Sequence, residues 1–426
     1  MKKDFLILYE LKNREIENAA LLASELRKRG YSVGILYINA KDYFNEYRVV
    51  LTPNLANDND MFFVLKSTKK APKKIILMKQ EQALSINEEK SGWGIPVGIS
   101  KSVHTIAWGQ SMVDRLKSAG INQSEIHKVG NIALDFNHRS FDQYFYSREL
   151  LAKKYKLDCK KHIHLFISSF SYCNLEKYYY NHLKKINKDT EKQVEIAEKS
   201  QKEILKWFGK IIKEHNDIII IYRPHPAENI SEGVYKMAEK FPNFVINKDF
   251  SIRQWIRIVD SISLWYSTSI ADIAYCKKKC MILRPYEYPD DIDEIVLRGG
   301  KYIKSFEIFK EYMENPKDIE FPIDEKIIHY YFGDDFDGKS YMRLADICEK
   351  VINSPREVDY AKMISVKKDY PLKVTLIKVF CSICSYINLT WILPVKYKEY
   401  FRRLYIEQKN YKMIFNEYCK RLEKII

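Results

Sequence analysis

The stretch D-I-I-I-I-Y-R-P-H-P at residues 217–226 constrains this chain more than any other. Four isoleucines and a tyrosine in a row leave no polar face. Such a strand is covered on both sides, as in a parallel sheet sandwiched between helices. Arg223-Pro224-His225-Pro226 ends it, because proline cannot donate to the ladder. His225 is therefore expected on a stiff loop at the strand's carboxyl end, the edge where open α/β sheets bind ligands. Arg223 and His225 supply there one permanent charge and one hydrogen-bond donor, which suits a phosphate-bearing ligand.

The rest of the chain alternates in the same way. Residues 5–9 read as a strand. Residues 15–29 read as a helix with Ile16, Ala19, Ala20, Ala23 and Leu26 on one face and Gly30 as the stop, and 33–38 as the next strand. This β-α-β unit predicts a parallel sheet. Apolar runs follow at 49–51, 61–64, 74–78 and 104–108, then a helix at 111–119 and a strand at 126–129 that runs into Gly130-Asn131. After a connecting helix at 147–156 a second series begins. Strands are expected at 162–167, 218–222, 244–246, 261–265 and 281–283, and helices at 190–215, 233–240, 251–259 and 270–276. The expected organisation is two doubly wound α/β domains, residues 1–146 and 147–345, with a helical basic tail at 346–426. In the tail, the apolar stretch 374–395 carries Phe380, Tyr386 and Trp391 between lysine- and arginine-rich flanks. It suits either an anionic bilayer surface or a helix pair packed on the domains.

Length and composition agree with this division. The 426 residues are 46% hydrophobic and 30% charged, enough for two cores, and the formal net charge of +15 favours an anionic partner. The positive charge is spread along lysine-rich helix faces and has no interleaved aromatic signature, which argues against nucleic acid. The eight cysteines include one isolated C-x2-C, Cys381 and Cys384, without metal-ligand company; they read as buried thiols of a reducing compartment. The apolar run at 5–9 is too short for a signal peptide and meets Glu10, Lys12 and Arg14 at once. No stretch is long enough to span a bilayer. A cytoplasmic protein, peripheral at the inner face of the cell membrane, is expected.

The candidate donor-binding residues lie on loops after strands of the second domain. Ser168 and Ser169 offer hydroxyls and backbone N–H groups, Arg223 and His225 offer charge and a donor, and Glu228 a possible acceptor for a ribose hydroxyl. Ser267, Thr268 and Ser269 precede a helix, more hydroxyls than one cap needs, so phosphate binding at a helix start is expected. Asp272, in that helix's first turn, suits either ligand contact or the helix dipole. Gly130 and Asn131 end the first domain's last strand, where glycine permits close backbone approach.

Transfer to a hydroxyl acceptor needs a group that removes its proton. Glu81, after the 74–78 run, is the first candidate; Asp58 and Asp60 are second and Glu10 is third. Asp58-Asn59-Asp60 has the form D-x-D but lies in the wrong domain for a donor metal, and Asp290-Asp291 and Asp334-Asp335 read as loop acids, so no metal is expected. The absence of G-x-G-x-x-G after the first strand argues against nicotinamide or flavin cofactors. Asp337-Gly338-Lys339-Ser340 lacks the glycine spacing of a Walker loop; Ser340 reads as a helix cap.

With these motifs in hand the chain resembles bacterial surface-carbohydrate biosynthesis proteins of the GT-B type, in which two Rossmann-like domains face a cleft. These are distant relatives of capsule Kdo and polysialic-acid transferases and of teichoic-acid glycerophosphotransferases. The matching pieces are Y-E-L-K-N-R-E-I-E-N (9–18), K-Q-E-Q (79–82), W-G-Q (108–110), V-G-N-I-A-L-D-F (129–136), Y-R-P-H-P-A-E (222–228), Y-S-T-S-I-A-D (266–272) and D-G-K-S (337–340). The resemblance implies that His225, Ser267 and Ser269 hold the phosphate of a cytidine-nucleotide donor, with His225 among the catalytic residues. It implies a metal-independent, inverting glycosyltransferase that uses a CMP- or CDP-linked donor and a saccharide or glycolipid acceptor. Thr268 stands where the glycerophosphotransferases usually carry a second adjacent serine. A CDP-glycerol-type glycerophosphotransferase and a UDP-sugar 2-epimerase are the alternatives.

Overall fold

A computed structural model describes residues 2–333, 335–364, 380, 383–384, 387, 389–393, 401 and 404–426. It contains two six-stranded, wholly parallel sheets, each in its own compact unit.

The first sheet comprises β1 (Lys2–Tyr9), β2 (Val33–Tyr37), β3 (Glu46–Thr52), β4 (Ile75–Leu77), β5 (His104–Ala107) and β6 (Ile126–Lys128), in the order β2-β1-β3-β4-β5-β6. Its helices include α1 (Lys12–Lys28) and α2 (Asp58–Lys66). The expected face of α1, from Ile16 to Leu26, is buried. The apolar run at 61–64 is the middle of α2 rather than a strand. Asn57 caps that helix by accepting the N–H groups of Asn59 and Asp60, and Met61, Val64 and Leu65 follow at helical spacing into the core.

The second sheet comprises β7 (His162–Ile167), β8 (Ile218–Arg223), β9 (Phe244–Ile246), β10 (Ser261–Leu264), β11 (Met281–Leu283) and β12 (Tyr302–Ile303), in the order β12-β11-β10-β7-β8-β9. Ile218 to Tyr222 are all buried, as a two-sided strand requires. Helix α3 (Thr190–Glu214) leads into β8, α4 (Glu232–Lys240) leaves it, and α5 (Ile270–Tyr275) follows β10. The aromatic core contains Phe166, Phe208, Tyr222, Phe244 and Phe309.

The division of the chain differs from the expected one. One unit takes Met1–Gln82, Gly94–Ala133 and Lys339–Ile426; the other takes Ala83–Trp93 and Leu134–Gly338. The change at 133–134 rather than 146 has a packing reason. Phe136, Phe141 and Tyr144 form a ring cluster, and Gln254 clasps the backbone of Tyr146 through both its amide groups. The described parts of the tail cluster with the first unit. Helix α6 (Ser340–Asn353) is tied to the first unit by Arg343 Nε on the Val129 carbonyl and by Arg29 on Asp346 and Glu349. Helix α7 (Tyr411–Leu422) lies against α1, where Tyr411 meets the Tyr9 ring at 5.3 Å and Cys419 Sγ reaches the Ala20 carbonyl. Most of the apolar stretch 374–395, including Cys381, lies outside the described residues. Among those described, no helix is long and apolar enough to cross a membrane.

Candidate functional site

The order of the second sheet puts its topological switch between β7 and β10, the crevice where doubly wound sheets take ligands. The register is informative. Ile167 of β7 pairs with Arg223 of β8 on one side and with Leu264 of β10 on the other. Three neighbouring strands thus end level, and the loops at 168–170, 224–228 and 265–269 emerge side by side. Phe170 and Trp265 stack across the switch with centroids 4.4 Å apart, which fixes the two loops against each other.

The His225 loop is shaped from beneath by Glu228. This buried carboxylate accepts the Tyr222 hydroxyl at 2.6 Å on Oε1; on Oε2 it accepts the Ser168 hydroxyl at 2.6 Å and the His225 backbone N–H at 3.1 Å. Gln201 donates to the same Tyr222 oxygen and accepts from Ser231. Burial raises the Glu228 pKa against the pull of these donors. The Tyr222 hydroxyl is raised well above its ordinary value, first by burial and then by the charge of Glu228. Glu228 and Ser168 are therefore internal staples. The expected role of Glu228 as a ribose acceptor fails because both its oxygens are spent inside the fold.

The His225 side chain is exposed, and its Nδ1 accepts the Ala227 N–H at 3.2 Å. An accepting Nδ1 places the neutral ring's proton on Nε2, which makes Nε2 a hydrogen-bond donor. Arg223 does something other than expected. Its Nη1 donates to the carbonyls of Asn247 and Asp249 and its Nη2 to that of Phe250. Burial lowers its pKa to about 10. The guanidinium braces the 247–250 loop, where Phe250 holds a left-handed φ of 63°.

Ser267 Oγ accepts the Ser269 N–H at 3.2 Å, and Ser269 is the cap residue of α5 without a side-chain cap bond. The N–H groups of Ile270 and Ala271 already bond the carbonyls of Ser267 and Thr268. The loop therefore offers its hydroxyls, with the amides of Ser269, Ile270 and Ala271 already engaged. Thr268 is exposed, Ser267 and Ser269 are half-buried, and Ser169 is buried. Asp272 is buried and accepts Arg253 Nε at 2.8 Å and Asn137 Nδ2 at 2.9 Å; its expected part in ligand contact gives way to tying three segments together.

Sequence reasoning missed Arg284, at the carboxyl end of β11. It is 2% exposed and pairs with Asp293 at 2.7 Å, and the rings of Trp265, Tyr266 and Tyr288 lie 5.3–5.8 Å from its guanidinium carbon. Nε and Nη1 have no hydrogen-bond partner among the described residues, so the aromatic faces carry part of its charge. The excursion at 83–93 was missed as well. Ser85 bridges to Glu294, and Asn87 N–H bonds the Asp291 carbonyl, at the same sheet edge. An R-P dipeptide after an apolar triplet was the available signal for Arg284; nothing local announces the excursion.

In the first unit the switch lies between β1 and β3. Glu81, beyond β4, is exposed and pairs with Arg14 Nη1 at 2.6 Å, while Arg14 Nη2 holds buried Glu15 at 2.7 Å. Glu15 accepts the Glu10 N–H, and burial raises its pKa. Lys79, buried beside Gly94, has its pKa lowered by burial. Gln82 links strand ends, donating to the carbonyls of Lys79 and Ile106 and accepting the Trp108 N–H. Asp58 and Asp60 serve local structure: Asp60 accepts the Ala56 N–H at 2.8 Å and Asp58 the Ile99 N–H at 3.3 Å. Gly130 does permit a close approach, but by Ser340 and Arg343 of α6. Its φ is +90°, and a Cβ there would stand 2.5 Å from Ser340 Oγ. Asn131 caps the next turn by accepting the Ala133 N–H.

No family model matches the chain, and no curated protein matches it by sequence. Solved structures do match its fold. A variant of the wall teichoic acid polymerase TagF soaked with CDPG superposes with a TM-score of 0.54 at 13% identity, over 82% of this chain and 89% of that one. The TagF structure without a stated variant gives 0.52 at 14%, over 82% and 88%. The UDP-GlcNAc 2-epimerase of Neisseria meningitidis, bound to UDP-GlcNAc, gives 0.51 at 10%, over 82% of this chain and 100% of that one. The architecture, two parallel six-stranded α/β units, is that of the GT-B type.

Proposed function

We propose that this chain is a metal-independent GT-B glycosyltransferase that moves a sugar from a nucleotide donor, CMP- or CDP-linked, to a saccharide or glycolipid of the cell surface, working at the inner membrane face. The observation that carries this reading is the level ending of β8, β7 and β10, which brings His225, Ser169 and the hydroxyls of Ser267, Thr268 and Ser269 to one switch-point edge. Nε2–H of His225 and these hydroxyls meet the donor phosphate and the charge that builds up as it departs. Arg223 and Glu228 act one step back, by fixing the loops. Glu81, held by Arg14, takes the proton of the acceptor hydroxyl.

A ligand that binds the folded state raises its melting temperature. Thermal-shift titration with CMP, CDP, UDP, GDP and dTDP tests the donor site and its base preference; no shift with any of the five overturns the reading. The fold likeness to TagF favours a second reading, transfer of glycerol phosphate from CDP-glycerol. Release of CMP from CDP-glycerol, with none from CMP-sugars, selects it. Isomerisation of a UDP-sugar without acceptor selects the epimerase.

A further inference from the structure

Helices α3 and α4 flank β8, and between them runs a groove of about 730 Å³. Its apolar floor is Leu205, Gly209, Gly233, Met237 and Phe241. The two helices run in parallel register there. A Cβ at Gly233 would lie 3.6 Å from Leu205 Cδ1, and one at Gly209 would lie 3.6 Å from Met237 Cε and 3.8 Å from Phe241 Cε2. Glycine in mid-helix weakens a helix, so Gly209 calls for a reason. Here the missing side chain keeps the floor open.

The rims are basic. Lys202, Lys206, Lys210 and Lys213 line one side at helical spacing, and Lys236 and Lys240 line the other. Six lysines and one glutamate, Glu198, line the groove; Lys206 and Lys236 pair with Glu203 and Glu232 on their own helices, and Lys202, Lys210, Lys213 and Lys240 keep the rims net positive. At 1.5 Å per residue the rim of α3 from 202 to 213 extends roughly 16 Å, longer than a single phosphate needs. The amides and hydroxyl of the lining, Asn174, Gln201 and Ser231, sit at one end and bond protein groups, so the apolar floor itself offers nothing that reads a base. Lysines, compact charges on flexible stems, suit several separate phosphates rather than one fixed geometry. One end of the groove abuts the donor edge: Ser231 and Gln201 line it and belong to the hydrogen-bonded set that includes Tyr222 and Glu228, and Asn174 holds the Ile230 carbonyl.

We infer that this groove docks the protein on an anionic phospholipid leaflet, with headgroup phosphates on the two lysine rims and an acyl chain along the glycine-floored channel. The contact buries apolar surface and adds attraction to negative headgroups, the two terms that hold peripheral proteins on membranes. It places the second unit on the lipid independently of the 346–426 tail, and it does not depend on which nucleotide the donor edge accepts.

The test is cosedimentation of the full chain with vesicles of phosphatidylglycerol and, separately, phosphatidylcholine. The expected result is binding to the first and not the second. The triple variant K202E/K206E/K236E, altered only on exposed rim positions, is expected to lose at least tenfold in partitioning. Gly209→Leu, which fills the channel while keeping the charge, is expected to weaken it several-fold. Nucleotide-induced thermal shifts should be unchanged in the triple variant, which separates failure of the docking surface from failure of the donor site. Two results overturn the inference: no binding of the native chain to phosphatidylglycerol, or binding of the folded triple variant equal to the native chain. Displacement from the vesicles by a glutamate-rich amphipathic peptide bound in the groove with higher affinity would assign the surface to a protein partner instead.

Discussion

Glu228 Oε2 accepts the backbone N–H of His225 at 3.1 Å, so the exposed imidazole is aimed by a carboxylate that never leaves the interior. Removing Glu228 and removing His225 should therefore have different signatures. His225→Ala deletes an exposed ring and should leave the melting temperature within a degree or two while abolishing donor turnover. Normal turnover in the folded variant would take His225 out of the chemistry.

Glu228→Ala removes the shared acceptor of the Tyr222 hydroxyl, the Ser168 hydroxyl and the His225 amide; the hydroxyls keep each other at 2.9 Å, and the amide loses its partner. Each unsatisfied buried group costs about 1–3 kcal/mol, so the variant should melt well below the native chain and lose activity with it. Glu228→Gln is the sharper probe. The native carboxyl has a raised pKa, so between the ordinary glutamate range and its raised value the folded state holds a proton that the unfolded state has lost. Stability from this group accordingly declines as pH rises through that window. The slope of melting temperature against pH should flatten in Glu228→Gln; identical slopes would refute the assignment.

Arg223→Lys keeps a charge but cannot span the carbonyls of Asn247, Asp249 and Phe250. A bracing role predicts a loss of roughly 1–3 kcal/mol, read by denaturant unfolding. A direct phosphate clamp predicts unchanged stability with weakened nucleotide binding.

Gly130→Ala meets two penalties, a left-handed φ and the Ser340 hydroxyl. A loss of about 1–3 kcal/mol is expected. Adding Ser340→Gly should relieve the collision but not the backbone strain, so the double variant should recover only part of the stability.

His104 Nδ1 and His127 Nε2 stand 3.1 Å apart beside Glu125, which Arg356 also engages. Burial, reinforced by His104, holds the His127 pKa at about 4. The unfolded chain takes up a proton near pH 6.5, so stability contributed by a neutral His127 is present above that value and is lost as pH falls toward 4. Replacing His127 by asparagine should make melting less sensitive to acid over that interval.

Much of the fold could be read directly from the chain. Ile218–Tyr222 has no polar face and is a central strand; the spacing of Ile16 to Leu26 is that of a buried helix stripe. The run at 61–64 misled because four apolar residues fit either period, and the deciding signal, Asn57 as a cap, lies outside it. The motif loops after β7, β8 and β10 were found because an apolar strand that stops on prolines or serines marks a sheet edge. What each polar side chain does there was less legible. Arg223, Glu228 and Asp272 look like ligand-binding groups in one dimension, yet carbonyls at 247–250, hydroxyls at 168 and 222, and Arg253 claim them in three. Partners distant in sequence leave no local trace.

The threading of the chain has a consequence for biosynthesis. All of the second unit has left the ribosome once Gly338 is clear of it, whereas the first unit must wait for α6 and α7, which follow, to cover α1 and brace the Gly130 turn. The unit that comes first in sequence is completed only by segments that follow the second one. A nascent chain stalled just after Gly338 has cleared the exit tunnel should hold a protease-resistant second unit and a first unit still open to cleavage.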